Sequence, residues 1–171
     1  VLAEEARRLN IPLVHYSTDF VFDGRKDGAY RENDETSPLN AYGRSKLAGE
    51  RSIASVDGAH LIFRTSWVYG SRGKNFLLTI LRLARERDRL TVVDDQMGAP
   101  TWSRMIAQAT ALILAQRRDM KGHFDLEGVG GIYHLAAGGA TTWHAFAQAA
   151  LILDPQREQH RVKQVEAIST A

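Results

Sequence analysis

Short apolar, β-rich runs alternate with amphipathic stretches along this chain, and few folds accept that alternation. Ile11 to Ser17, Leu61 to Thr65, Leu90 to Val93 and Gly131 to Leu135 read as strands. Most are apolar at successive positions rather than at every second one, the pattern of strands buried on both faces. Helical periodicity covers Val1 to Asn10, Ala41 to Ser55, Asn75 to Arg87, a stretch ending near Arg117, and a stretch ending near Leu153. Asn40 is placed to cap the second of these helices, Thr101 or Ser103 the fourth, and Thr141 or Thr142 the fifth. Strands that alternate with helices pair in parallel, because a crossover helix returns the chain to the same end of the sheet. The expected class is therefore α/β with a mainly parallel sheet. In such sheets, functional groups gather beyond the carboxyl ends of the strands. Those ends here are Ser17-Thr18-Asp19 and Thr65-Ser66-Trp67.

Composition removes several classes of function. The chain has 171 residues, 44% of them hydrophobic, enough for one ordinary core or a large piece of one. A net charge of +2, with basic residues scattered, gives no patch for nucleic acid or an anionic membrane. There is no cysteine, hence no disulfide, thiolate nucleophile or zinc-thiolate site, and a reducing cytoplasm is the expected setting. No apolar run is long enough to cross a bilayer, and no signal-peptide pattern opens the chain. The six histidines show no metal-ligand spacing, and His15, His134 and His144 read as packed or capping residues. Gly138-Gly139 reads as a turn rather than a phosphate cradle.

Tyr42 and Lys46 stand four apart on the helix after Asn40, a spacing that puts both side chains on one face. Alone, the pair also fits a solvated helix face. It is preceded by Tyr16-Ser17-Thr18-Asp19 at a strand end and by Pro38-Leu39-Asn40 at the helix entry. The runs HYSTDFVFDG, SPLNAYGRSKLAGE, LIFRTSWVYG, DDQMGAPT and YHLAAGGATTWHAFA occur in this order from about His15 to Ala147. Together they resemble the dTDP-4-dehydrorhamnose reductases of the extended short-chain dehydrogenase/reductase family.

The resemblance implies a partial Rossmann-like, doubly wound parallel sheet with part of a smaller substrate-binding lobe. Residues 1–93 would form the catalytic part, and 94–171 a mixture of substrate-lobe and returning Rossmann elements. It implies reduction of the C4 ketone of a dTDP-sugar by hydride from NADPH or NADH. Tyr42 matches the proton donor. Lys46 matches the lysine whose charge favours phenolate and which bonds the nicotinamide ribose. Thr18 matches the hydroxyl beside the reacting oxygen. Tyr16, with Tyr42 and Lys46, matches a cofactor contact, and Asp19 and Trp67 match sugar-nucleotide contacts. Plainer roles are also open: a turn for Thr18 or Asp19, core packing for Trp67 or Tyr16. Gln96, Pro100 and Thr101 match a loop near the substrate, with no chemical role assigned.

Two departures from the family pattern matter. No Gly-rich βα turn for a pyrophosphate occurs in the chain, and its first helix has no capping residue before it. The expectation is a fragment, inactive by itself, that lacks an amino-terminal half and further carboxy-terminal residues. Some members of the family hold Mg²⁺ with an acidic residue just after the GAPT run. Here that stretch is Trp102-Ser103-Arg104, and a guanidinium cannot ligate Mg²⁺. No metal is therefore expected, and a homodimer, if formed, would not be metal-linked. The rival readings are another sugar-nucleotide epimerase or dehydratase, or a regulatory subunit without catalysis. A dehydratase usually carries Asp-Glu after the threonine, whereas this chain has Asp19-Phe20. The expected product is dTDP-L-rhamnose.

Overall fold

The computed structural model describes residues 1–126 and 128–170. In chain order the principal elements are α1 (Leu2–Arg8), β1 (Leu13–Thr18), α2 (Ala41–Ala54), β2 (His60–Thr65), β3 (Val68–Tyr69), α3 (Phe76–Glu86), β4 (Arg89–Val93), β5 (Met97–Gly98), β6 (Thr101–Trp102), α4 (Ser103–Gln116), β7 (Gly131–His134), β8 (Thr141–Thr142), α5 (Trp143–Leu153) and β9 (Gln164–Ile168). They fall into two compact units. One comprises residues 1–66 and 106–135, the other 67–105 and 136–171.

The first unit is built on a parallel sheet in the order β1-β2-β7. Leu13 to Thr18 pair with His60 to Thr65, and Leu61 to Arg64 with Gly131 to His134. The central strand β2 is buried along Leu61 to Thr65, as its unbroken apolar run requires. Side chains alternate across it. Leu61 and Phe63 pack with Val14, Leu126 and the α4 residues Ile113 and Leu114. Arg64 points to the opposite face and meets Glu50 of α2. Helix α2 starts where Asn40 accepts a hydrogen bond from the Gly43 amide at 2.7 Å, which satisfies an otherwise orphan donor.

The second unit contains a parallel pair, β4 and β9, with Arg89 opposite Gln164 and Val93 opposite Ile168. Helices α3 and α5 cover it, and Ile80, Val92 and Ala147 form its centre. Asn75 caps α3 and Thr142 caps α5, each accepting from the amide three residues on. After α5, Asp154 accepts from the Gln156 amide, from His160 at 2.8 Å and from Arg85 at 3.0 Å. The Gln156 amide first, and His160 next, hold its carboxyl below the usual range. Two short pairs complete this unit, β3 with β6 in parallel and β5 with β8 antiparallel.

The class is thus α/β and Rossmann-like, with parallel sheets and flanking helices. Two details differ from the sequence reading. Thr101 does not cap α4, because its hydroxyl donates to the Ala99 carbonyl and accepts from the Ala137 amide. Strand β9 carried no strand signal, since Gln164-Val-Glu-Ala-Ile buries its side chains only partly.

Candidate active site

Thr18 ends β1 and is buried, with 5% of its surface exposed. Its hydroxyl accepts from the Phe20 amide at 3.2 Å and donates to Asp19 Oδ1 at 3.0 Å. Asp19 Oδ2 accepts from the Ser66 hydroxyl at 2.6 Å. Ser66 directly follows Thr65, which is paired with Thr18, so the two adjacent strand ends are stitched together by one carboxylate. One lone pair on the Thr18 oxygen stays free, while its proton is committed to Asp19.

Helix α2 lies against this strand end. Its inward stripe is Gly43, Leu47 and Glu50, and Tyr42 and Lys46 each precede a stripe residue. The Tyr42 ring is 55% exposed and meets the exposed Phe20 ring edge-on, with centroids 6.1 Å apart. A Cβ on Gly43 would come within 2.1 Å of the Phe20 carbonyl oxygen, so only glycine allows this approach of helix to turn. Lys46 is half-buried, and its charge reaches His15 on β1. Helix α2 thus sets Tyr42 beside Phe20, just past the end of β1, and Lys46 nearer His15, in the amino half of that strand.

Tyr16 donates its hydroxyl to Thr110 of α4 at 2.9 Å. Its ring is still 41% exposed. Trp67 belongs to the second unit and has a left-handed backbone, φ 42°. Its indole stacks on Trp143 at 3.5 Å and 7°, and Gly98 lies against the ring. Gln96 bonds Thr170, and Arg104 lies over the Trp102 ring. His134 packs edge-on against Phe22, and His144 bonds the Val165 carbonyl. A polar cup of about 420 Å³ in the first unit involves Asp23, Lys26, Tyr30 and Asp34, which are already paired with one another.

Sequence reasoning placed Ser66 at a strand end without giving it a role, and missed Gly43 and the pair Glu50 and Arg64. Both members of that pair are almost fully buried, at 1% and 4% exposure. Arg64 donates Nε to Glu50 Oε1 at 3.0 Å and Nη2 to Oε2 at 2.7 Å, a two-point fork. Its Nη1 donates to the Glu32 carbonyl at 3.1 Å. A signal was available: a lone arginine within Leu61-Ile-Phe-Arg-Thr needs a buried partner.

His15 is also placed against α2, with Nε2 buried and without a hydrogen-bond partner among the described residues. Burial first, and the Lys46 charge second, hold its imidazole below the ordinary 6.5, with Glu50 opposing. A depressed folded value means that the unfolded chain takes the proton more readily. The stability this confers is complete above 6.5 and is lost as pH falls through the folded value. Urea midpoints taken at about pH 7.5 and about pH 5.5 should therefore differ more in the parent than in His15→Leu. The same difference in both proteins would remove His15 from this account.

A parallel sheet with a hydroxyl at a strand end, and a helix carrying Tyr42 and Lys46 beside it, defines a Rossmann-like α/β protein. The family model described as the RmlD substrate binding domain matches residues 1–171, and the chain belongs to that family. A dTDP-4-dehydrorhamnose reductase of Burkholderia thailandensis is 52% identical over 151 residues, covering 87% of this chain and 49% of that protein. The crystal structure of a dTDP-4-dehydrorhamnose reductase from Clostridium acetobutylicum superimposes with TM-score 0.84 at 32% identity, over 99% of this chain and 54% of that one. The Bacillus anthracis dTDP-4-dehydrorhamnose reductase, solved in complex with NADP, gives 0.82 at 31% identity, over 99% of this chain and 55% of its own. The chain thus spans about half the length of the relatives it matches.

Proposed function

We propose that this chain carries the proton-donating and sugar-binding groups of a nicotinamide-dependent reductase that converts dTDP-4-dehydro-L-rhamnose to dTDP-L-rhamnose. The observation that carries the reading is the Tyr42–Lys46 pair on a capped helix against the strand end that presents Thr18. In this reading the bound NADPH or NADH supplies hydride to the C4 carbon. Tyr42 gives its phenolic proton to the C4 oxygen, which its exposure permits. Lys46, four residues on, faces the same side and is placed to hold the ribose and to stabilise negative charge near the phenol.

Thr18 has a more restricted role than a free hydroxyl would have. With its proton on Asp19, it offers a lone pair that orients the Tyr42 hydroxyl or the alcohol product. Donation to the ketone oxygen would need that bond to break. Asp19 keeps further acceptor capacity for a sugar hydroxyl. Trp67, which is half-buried, is assigned to the nucleotide, and Tyr16 offers its exposed ring to the cofactor. Residues 1–93 then carry the groups that do chemistry, and 94–171 the remaining substrate-lobe and sheet elements.

The residues present fit the nicotinamide end of a dinucleotide. They include no Gly-rich turn for its pyrophosphate. The test is turnover. The chain completed with the portion of the Burkholderia thailandensis relative that it does not cover is expected to oxidise NADPH when given dTDP-4-dehydro-L-rhamnose. The 171-residue chain alone is expected to show no turnover. A completed protein that is folded by circular dichroism yet leaves NADPH untouched would sink the reading.

A further inference from the structure

We infer that the buried Glu50–Arg64 ion pair, together with the glycine seat at Gly43, is a positioning device that sets where Tyr42 and Lys46 stand on the face of the sheet. The inference rests on the reading of Tyr42 and Lys46 given above. Helix α2 has two attachments on its inward stripe, one near each end. At the amino end, Gly43 lies against the Phe20 carbonyl, where a Cβ would also meet the Pro38 side chain at 3.0 Å. Seven residues on, Glu50 takes the two-point fork of Arg64, which β2 holds in the middle of the sheet.

A helix packed on a sheet by aliphatic side chains alone has a shallow preference for rotation and axial slip. A planar fork does not, because both N–H···O bonds lengthen as soon as the helix turns or slides. The arginine is fixed in its turn. Its third bond runs to the Glu32 carbonyl, and its guanidinium lies over the Phe22 ring at 5.1 Å. Glu32 Oε1 accepts from the His134 amide at 2.9 Å, at the end of the third strand. The fork therefore ties the rotation of α2 to β2 and, through Glu32, to β7. Tyr42 lies two turns from Glu50 and next to Gly43, so a turn of the helix about its axis would move the phenol across the end of β1.

A buried ion pair is a costly way merely to hold a helix down. Apolar residues of similar volume often do that as well or better. That difference gives the test. In the double variant Glu50→Leu, Arg64→Met, apolar packing replaces the pair. A purely structural role predicts a stable protein with Tyr42 unmoved. A positioning role predicts a stable protein with Tyr42 displaced.

The readout is the ¹⁹F resonance of Tyr42 in protein labelled with 3-fluorotyrosine, assigned by its loss in Tyr42→Phe. The expected result is a folded double variant whose Tyr42 signal lies outside the parental line, or broadens. A folded double variant with the parental signal overturns the inference. Arg64→Lys keeps the charge and loses the fork, and it is read in the same way should the double variant not fold. In the completed protein, kcat of the variant should fall about 10²-fold, the usual penalty for a misplacement of about 1 Å. Turnover in the parent that ignores Tyr42 would defeat the chemical reading and leave the resonance result standing, so the two failures are distinguishable.

Discussion

Tyr42→Phe in the completed protein is expected to lower kcat by about 10²–10⁴-fold while binding of the nucleotide sugar persists. The substitution removes one oxygen. It leaves the ring, which meets Phe20 edge-on, and the helix that carries it. Among the described residues, the Tyr42 hydroxyl makes no hydrogen bond; its backbone carbonyl, which accepts from Ser45, is unaffected. Stability should therefore stay within about 0.5 kcal/mol, as for surface substitutions in general. The measurement is kcat and KM under saturating NADPH, with sugar-nucleotide affinity by calorimetry. A kcat near the parental value would take Tyr42 out of the chemistry.

Arg64→Ala should have the largest effect on stability of any single substitution in the first unit. It leaves the Glu50 carboxylate at 1% exposure with neither of its two guanidinium bonds. Breaking a buried pair from one side typically costs about 3–5 kcal/mol, against a total of about 5–15 kcal/mol for a domain. The Glu32 carbonyl loses a donor as well. Urea unfolding followed by circular dichroism should show a large fall in midpoint. Glu50→Gln, which keeps one acceptor for the arginine, should be less severe. A midpoint within error of the parent in Arg64→Ala would mean that water or another cation reaches Glu50.

The helices and long strands were legible because their signals are local. Asn40, Asn75 and Thr142 each stand just before an apolar period, and each caps the helix that follows. The stretch Leu61 to Thr65 announced a two-faced burial that the central strand then shows. What stayed hidden depends on residues far apart in the chain. The two-residue strands β3, β5, β6 and β8 have no period to detect. The left-handed backbone of Trp67 comes with its stack on Trp143, a residue no local pattern links to it. Tyr42, Lys46 and Thr18 could be named through the resemblance to the reductase family, since the spacing of Tyr42 and Lys46 alone also fits a solvated helix face. The commitment of the Thr18 proton to Asp19, and of Asp19 to Ser66, could not, because Ser66 lies on a neighbouring strand end.

The distribution of aromatic residues makes the two units spectroscopically distinct. Trp67, Trp102 and Trp143, the chain's three tryptophans, all belong to the second unit. Tyr16, Tyr30, Tyr42 and Tyr133 belong to the first. Indole emission excited at the red edge of the absorption band thus follows the second unit alone. The first unit has to be followed through labelled tyrosine, because Tyr69 of the second unit contributes to phenol absorbance. Two indoles stacked at 3.5 Å and 7° also share their excited states, so opening of the Trp67–Trp143 pair should alter both emission and near-ultraviolet dichroism. A melt followed by indole emission and by the resonances of labelled Tyr16, Tyr30, Tyr42 and Tyr133 would separate loss of that stack from loss of the sheet that holds Thr18.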